Sequence, residues 1–356
     1  MLIRKYFSQF LVLLCLAAAA AAQAQNLPNV VILATGGTIA GTGATTTTTT
    51  VGYTAAKVGV DALIAAVPEL KKVANVRGEQ TMQIASENMN NDAWLKLAKR
   101  VNTLLAQSDV DGIVITHGTD TIEETAYFLD LVVKSKKPVV IVGAMRPSTA
   151  ISADGPINLY NAVLLAGSKE AIGKGVLVTL NDQINAGREV TKTNTSTLDT
   201  FKTPELGFLG YIQGSKPFFY RQSTRKNTAD TPFDIMNLDK LPQVDIVYGY
   251  ANMNPIALNA FVAAGAQGII HAGVGDGSLN NTVVPSLTEA RKKGVVIVRA
   301  SRVGQGIVAR NGEADDDKLD FVVSDTLNAQ KARILLMLAL TKTTDTKEIQ
   351  KMFWEY

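Results

Sequence analysis

Short runs of β-branched residues alternate along this chain with longer helical patterns. The runs lie at residues 30–33, 112–115, 139–142 and 176–178. Between the first two runs, apolar residues recur at the i, i+3, i+4, i+7 spacing of one helix face: Trp94, Leu97, Ala98, Val101, Leu104 and Leu105. Continuous apolar strands of this kind are typical of parallel sheets that are buried on both faces. The pattern predicts an α/β fold with a doubly wound, mostly parallel sheet and helices on both of its sides.

The N-terminus has the features of a signal peptide. Arg4 and Lys5 precede an apolar stretch at residues 10–22, and Ala22-Gln23-Ala24 forms a small-x-small cleavage pattern. An uncleaved membrane anchor is the alternative interpretation, but the apolar stretch is short for a membrane-spanning helix. We therefore predict that residues 1–24 are removed and that the mature protein is exported.

The remaining part of the chain, about 330 residues, is long enough for two globular domains. Polar and charged residues interrupt the alternation at residues 221–242, and β-branched runs resume at 244–247, 268–270 and 295–298. The predicted organisation is an N-terminal catalytic α/β domain at 25–220, a linker at 221–242 and a smaller C-terminal α/β domain at 243–356.

Cysteine content and charge exclude several classes of site. Cys15, within the predicted leader, is the only cysteine, so the mature chain has no disulfide, cysteine nucleophile or cysteine metal ligand. Removal of Arg4 and Lys5 lowers the formal charge from +3 to +1. The chain also has no basic block of the kind that binds phosphate backbones. We expect neither a nucleic-acid partner nor, once the leader is removed, a membrane partner.

A threonine- and glycine-rich motif follows the first predicted strand. Residues 35–41 read Thr-Gly-Gly-Thr-Ile-Ala-Gly, and a glycine pair at a strand end lets another group approach the backbone closely. The motif could cradle a nucleotide phosphate or present the Thr38 hydroxyl to a small substrate. Its spacing is not that of a dinucleotide or P-loop fingerprint, which disfavours the phosphate interpretation.

A second motif, Thr-His-Gly-Thr-Asp-Thr at residues 116–121, follows another predicted strand. Asp120 with Glu123 three residues later could simply cap the next helix. Strand ends of a doubly wound sheet face one crevice, however, so Thr38, Ser86, Thr119 and Asp120 can converge there.

Most hydrolase machinery is missing from the sequence. It contains two histidines, no G-x-S-x-G elbow and no H-E-x-x-H pattern. A nucleophile would then be a threonine or serine hydroxyl, and His117 is interpreted as structural. Lysine can serve as the base when burial favours its neutral form. Lys192 is the candidate, although its polar surroundings in sequence would also suit a solvated surface residue.

With these motifs, the chain resembles the bacterial type II asparaginases, the periplasmic family that includes the glutaminase-asparaginases. The likeness runs from about Leu27 to Tyr356. It rests on the two motifs at 35–41 and 116–121, in the proper order and separation, and on Ala-Met-Arg-Pro at 144–147. The resemblance implies hydrolysis of L-asparagine to L-aspartate and ammonia, with L-glutamine use left open. Together with the predicted leader, it implies a periplasmic location.

The resemblance also implies roles for individual catalytic residues. Thr38 matches the nucleophile that forms an acyl-enzyme, and Tyr53 matches the lid tyrosine beside it. Thr119, Lys192 and Asp120 match a second catalytic group in which the lysine acts on the threonine hydroxyl. Asp120 would in addition hold the α-amino group of the substrate.

The remaining implied roles concern substrate binding and assembly. Ser86 and Glu87 match positions that hold the α-carboxylate and amino ends of the substrate. Asn252 and Glu313 match residues that reach the active site of a neighbouring subunit; on composition alone, Glu313 would belong to a solvated acidic turn. The family assembles as a homotetramer, a dimer of dimers. No metal or organic cofactor is implied, because acyl transfer through a hydroxyl needs none.

The chain departs from the family at two places. It cannot form the N-terminal disulfide that some members carry, and its lid contains six consecutive threonines at residues 45–50, which predict a mobile loop. Two other functional classes are compatible with part of this pattern. A periplasmic amino-acid-binding protein would share the export and the two α/β domains but would not turn its ligand over. A dinucleotide oxidoreductase would require a glycine fingerprint that opens a helix.

Overall fold

A computed structural model describes residues 27–49 and 52–356 of the chain. The predicted leader at residues 1–24 and Thr50 of the threonine run lie outside the described residues. The strands are β1 Asn29–Gly36, β2 Thr42–Gly43, β3 Tyr53–Thr54, β4 Asn75–Ile84, β5 Gly112–Thr116, β6 Val139–Val142, β7 Val176–Leu180, β8 Gln183–Ala186, β9 Thr191–Lys192, β10 Phe201–Lys202, β11 Gly210–Gln213, β12 Lys216–Phe219, β13 Val244–Tyr248, β14 Gly268–Gly273, β15 Val296–Ser301 and β16 Val322–Val323.

Helices alternate with these strands, as the periodicity predicted. They are α1 Val60–Ala65, α2 Asn91–Leu105, α3 Ile122–Val132, α4 Gly155–Ala166, α5 Ile256–Ala263, α6 Val284–Lys292, α7 Asp316–Leu319, α8 Ala329–Ala339 and α9 Thr346–Glu355. All six apolar residues of the predicted stripe from Trp94 to Leu105 are buried on α2. Asn90 caps this helix by accepting a hydrogen bond from the Ala93 amide at 2.9 Å.

An eight-stranded sheet forms the frame of the N-terminal half, in the order β12-β11-β8-β7-β6-β5-β1-β4. The five strands from β4 to β7 in this order are parallel, and β8, β11 and β12 extend the sheet with antiparallel pairs. The predicted mostly parallel sheet is therefore confirmed. Because β1 and β5 are adjacent and parallel, their carboxyl ends lie side by side, and both predicted motifs follow these ends.

Both faces of the large sheet are covered by apolar helix faces. Alternate residues of β1 point to opposite sides: Val31 and Leu33 pack with α2 and α3, whereas Val30 and Ile32 pack with α1 and α4. Each fully buried aliphatic side chain of this kind stabilises the fold by roughly 1.5–3 kcal/mol relative to leaving it exposed. This two-sided burial explains why the strands are continuous apolar runs.

The C-terminal half has a smaller sheet of four parallel strands, β13-β14-β15-β16. Helices α5 and α6 cover one face of it. On the other face, α8 packs between this sheet and α3 of the N-terminal half, so that one continuous core joins the two halves. The C-terminal half therefore touches the helix that follows the second motif.

The predicted linker at 221–242 packs against the rest of the molecule. Phe233 and Ile235 are fully buried in the shared core, and Lys134 donates to the carbonyl oxygen of Thr231 at 2.7 Å. These contacts hold the segment closely between the two halves. The predicted domain boundaries stay a prediction.

Candidate active site

Two glycines allow the ends of β1 and β5 to approach each other. Gly37 has a φ of 80°, and a Cβ placed on it would lie 2.3 Å from the backbone of Gly118. No side chain fits between two backbones at that distance. The Thr35 hydroxyl adds a buried hydrogen bond of 2.8 Å to the carbonyl oxygen of Thr116. Thr38 and Thr119, each next to one of these glycines, are thereby brought to the same edge of the sheet.

Thr38 follows the glycine pair at the start of a short 3-10 turn, Thr38–Ala40. Its side chain is buried, and its Oγ1 lies 2.7 Å from the hydroxyl oxygen of Tyr53. Tyr53 is on β3, which pairs with β2 in a hairpin that starts directly after the turn. The hairpin therefore supplies a hydroxyl partner for the Thr38 side chain.

Thr119 and Asp120 share Lys192 as a partner. The Lys192 ammonium donates to Thr119 Oγ1 at 3.0 Å and to Asp120 Oδ1 at 2.7 Å. Its side chain is only 17% exposed, so the interpretation of Lys192 as a solvated surface residue is wrong. The Asp120 side chain is 60% exposed, which leaves room for a bound group beside it. Because the Asp120 side of this ion pair is exposed, the pair adds little stability, and we attribute its importance to geometry.

The interpretation of Asp120 as a helix cap is also wrong. Helix α3 begins at Ile122 after Thr121, and no side-chain hydrogen bond caps it. The Asp120 carboxylate is directed at Lys192 instead. An aspartate that leaves a helix end uncapped while it pairs with a lysine at the sheet edge is better suited to a binding or catalytic role.

Ser86 lies on a third segment that joins this edge, the 3-10 turn Ser86–Asn88 after β4. Its buried hydroxyl oxygen accepts the amide of Asp120 at 3.2 Å, and its carbonyl oxygen accepts the hydroxyl of Thr121 at 2.9 Å. Glu87, the next residue, is exposed. The turn is therefore attached to the second motif, with the Glu87 side chain on the solvent side.

His117 is occupied by hydrogen bonds inside the molecule. Its Nδ1 lies 2.7 Å from the carbonyl oxygen of Gly118, and its Nε2 lies 2.9 Å from the hydroxyl of Thr125. Burial lowers the pKa of His117 to about 4, so the ring is neutral near pH 7. These contacts agree with the interpretation of His117 as a structural residue.

The sequence pattern indicated no site role for Glu123, only a place in a possible helix cap with Asp120. The Glu123 carboxylate is buried and accepts the backbone amide of Lys192 at 3.0 Å. The available clue was an acidic residue in the first turn of the helix that follows the second motif. Helix periodicity places such a residue but does not specify its partner 69 residues away.

Asn252 and Glu313 lie apart from this group of side chains. Both are exposed on the C-terminal half, Asn252 after β13 and Glu313 in the loop before α7. Within the part of the chain that the structure describes, neither side chain hydrogen-bonds to Thr38, Thr119 or Lys192. A single subunit thus brings together the predicted residues of the N-terminal half and leaves these two at its surface.

Residues 27–49 and 52–356 contain no group of three or more His, Cys, Asp and Glu side chains placed to hold a metal ion. Within the same residues, no helix has the length and apolar character needed to cross a membrane.

Comparison with known proteins gives a consistent result. The family model described as "Asparaginase, N-terminal" matches residues 29–225, and "Glutaminase/Asparaginase C-terminal domain" matches residues 243–353. A glutaminase-asparaginase of Pseudomonas fluorescens biotype A is 58% identical over 332 residues, covering 93% of this chain and 91% of its own. L-asparaginase 2 of Bacillus subtilis is 58% identical over 338 residues, covering 95% and 89%.

A solved structure shows the same fold. The crystal structure of a probable cytoplasmic L-asparaginase from Campylobacter jejuni superimposes with a TM-score of 0.90 and 50% identity, covering 92% of this chain and 100% of that one. Both halves of the chain thus have counterparts in one group of proteins. The chain belongs to the asparaginase family.

Proposed function

We propose that this chain hydrolyses L-asparagine to L-aspartate and ammonia through a threonine acyl-enzyme. The observation that carries the proposal is that two buried threonines lie beside glycines whose backbones touch, and that each threonine has its own polar partner: Thr38 with Tyr53, and Thr119 with Lys192. A hydroxyl attacks a carbonyl efficiently only when a neighbouring group can take its proton. Tyr53 can relay the proton of Thr38 by giving up its own as it accepts, and Lys192 can accept the proton of Thr119 when it is a neutral amine.

In the first step, Thr38 Oγ1 attacks the side-chain amide carbon of asparagine and forms a tetrahedral intermediate. The carbon–nitrogen bond then breaks, ammonia leaves after taking up a proton, and an ester links Thr38 to the aspartyl group. Water attacks this ester, releases aspartate and regenerates the hydroxyl. Tyr53 is placed to exchange a proton with Thr38, and Lys192 with Thr119.

The α-amino and α-carboxylate groups of the substrate would be held at the same strand ends. We assign Asp120 to the amino group, because its carboxylate is half exposed beside Thr119. Ser86 and Glu87 are assigned to the two charged ends of the substrate. Asn252 and Glu313, exposed on the C-terminal half, would complete the site of a neighbouring subunit in a dimer-of-dimers tetramer.

L-Glutamine is proposed as a second substrate. It differs from asparagine by one methylene, which a pocket accepts or rejects by only about 1–3 kcal/mol. We further propose a periplasmic location. Its support is the basic, apolar and small-x-small order of residues 1–24. Family membership does not fix the compartment.

The decisive experiment is ammonia release from asparagine and glutamine by wild type and Thr38→Val. Wild type is expected to release ammonia continuously, and Thr38→Val to lose at least about 10³-fold in kcat, because the hydroxyl proposed to form the acyl-enzyme is removed. Thr54→Val, exposed on the neighbouring strand, is the control and should keep wild-type activity. Near-wild-type release by Thr38→Val would contradict the mechanism. Stoichiometric binding without release would instead favour an amino-acid-binding protein.

A further inference from the structure

The buried carboxylate of Glu123 joins the catalytic lysine to the C-terminal half of the same subunit. Glu123 is 5% exposed. Its Oε2 accepts the backbone amide of Lys192 at 3.0 Å, and its Oε1 accepts the side-chain amide of Gln330, on α8, at 2.5 Å. A buried carboxylate persists only when its oxygens are hydrogen-bonded, and here each oxygen has one donor.

Lys331, the residue after Gln330 on α8, also binds the segment at residues 188–192. Lys331 is 2% exposed, and its ammonium donates to the carbonyl oxygens of Arg188 at 2.7 Å and Val190 at 2.5 Å. Burial lowers the pKa of Lys331 to about 8, and the nearby Glu123 carboxylate opposes this shift. The backbone is thus held at Arg188, Val190 and Lys192 by side chains of α3 and α8.

These contacts are needed because the local secondary structure is weak. Lys192 lies on β9, a strand of two residues whose ladder partner β10 is equally short. Such a ladder cannot by itself fix the backbone. The Lys192 ammonium must nevertheless stay within 3.0 Å of Thr119, and a displacement of about 1 Å can lower a rate by about 10²-fold.

We propose that Glu123 is a positioning residue for Lys192, and that α8 of the same subunit supports it through Gln330 and Lys331. The inference rests on the proposed function, because it assigns Glu123 a role in that reaction. The C-terminal half would then support the active site of its own subunit, in addition to any residue that it contributes to the active site of a neighbouring subunit.

Glu123→Gln tests the proposal first. It removes the carboxylate charge and one acceptor oxygen. The Lys192 amide then faces either a neutral amide oxygen, which accepts more weakly than a carboxylate, or an amino group, which cannot accept. We expect kcat with asparagine to fall about 10- to 100-fold. Glu124→Gln is the matched control: it lies at the next position of the same helix, and no hydrogen bond in the described structure joins its side chain to residues 188–192. It should retain wild-type kcat.

A double-mutant cycle with Lys192→Met separates positioning from general destabilisation. If Glu123 acts through Lys192, adding Glu123→Gln to Lys192→Met should leave the residual rate unchanged within about twofold. A further 10-fold loss in that background, or wild-type kcat for Glu123→Gln alone, would overturn the proposal.

Gln330→Leu provides a second route if Glu123→Gln does not fold. It keeps the carboxylate and removes one of its two donors, so a smaller loss of kcat is expected, and this loss must also disappear in the Lys192→Met background. The two proposals can fail separately. A wild-type enzyme that releases no ammonia from asparagine refutes the proposed function, whereas an active enzyme indifferent to Glu123 and Gln330 refutes only the positioning role.

Discussion

At the scale of single residues, the buried polar groups of this fold are of two kinds. Thr38 and Thr119 face partners that can exchange a proton, namely Tyr53 and Lys192. Asp130 on α3 is equally buried, but its Oδ1 accepts the backbone amide of Val176 at 2.7 Å, within the core. Burial alone therefore does not identify a catalytic group, and the chemistry of the partner distinguishes the two kinds.

Asp130 has a consequence for stability that depends on pH. Burial raises its pKa from 3.8 to about 7, so between these values the folded state binds a proton that the unfolded state releases. The fold accordingly loses stability as pH rises from about 4 to 7. We predict that Asp130→Asn, which carries no charge, becomes more stable relative to wild type over this range, by at most about 4 kcal/mol.

Melting temperatures of both proteins between pH 4 and 8 measure this effect. His117 and His271 act in the opposite direction, because burial lowers each pKa to about 4, but they are common to both proteins and cancel in the difference. The exposed Asp239→Asn is the control and should follow wild type. A constant difference between Asp130→Asn and wild type across the range would contradict the prediction.

At the scale of elements, two neighbouring parallel strands create the candidate site because a glycine closely follows each of them, Gly37 after β1 and Gly118 after β5. Gly37 and Gly118 touch backbone to backbone, and a Cβ on Gly118 would also lie 2.5 Å from the Ser86 hydroxyl oxygen. Three segments that are distant in sequence thus meet where no side chain intervenes. The distance between the two threonine segments is set by these glycines.

Gly37→Ala is predicted to separate the strand ends. The new methyl group would lie 2.3 Å from the Gly118 backbone, which cannot yield as a flexible side chain would, and alanine is strained at a φ of 80°. We expect a loss on the order of 1–3 kcal/mol in the free energy of unfolding and about 10²-fold in kcat. Chemical denaturation and the ammonia assay measure the two quantities.

Gly59→Ala serves as the comparison, because its φ is −77° and an added Cβ would make only an ordinary contact at 3.9 Å. It should change neither stability nor kcat appreciably. Wild-type kcat in folded Gly37→Ala would show that the close approach of the strand ends is dispensable for the reaction.

At the scale of the whole molecule, the proposed assembly predicts complementation between inactive subunits. Thr38→Val lacks the nucleophile, and Glu313→Ala lacks the acid proposed to act in the neighbouring subunit. In a mixed dimer, the subunit with an intact Thr38 faces a partner with an intact Glu313. Random mixing should therefore restore about a quarter of wild-type activity, since half of the dimers are mixed and each contains one complete site.

Co-expression of the two variants with different tags, followed by the ammonia assay on the mixed oligomers, measures this recovery. The corresponding control is Thr38→Val combined with Glu313→Ala in one chain, mixed with Thr38→Val, which offers no complete site and should stay inactive. If mixing the single variants restored nothing while the mixed oligomers assembled, Glu313 would not act across a subunit boundary.

Hydrophobic periodicity and motif order were sufficient to predict much of this protein from its sequence. The α/β class, the mostly parallel sheet and the family are confirmed. The burial of the α2 stripe from Trp94 to Leu105 also follows from spacing alone. These properties can be predicted because each strand and each helix is recognised from the spacing of its own residues, without knowledge of its neighbours in space.

Tertiary structure alone decided which side chains meet. Asp120 pairs with Lys192, 72 residues away, instead of capping α3, and Glu123 holds the backbone of that same lysine. The physical reason is that a hydrogen-bond partner is chosen by how two elements cross in space, and neither the 3.6-residue nor the 2-residue period carries that information. The sequence determined which residues stand at the strand ends, and the packing of β1, β5, α3 and α8 determined how they face one another.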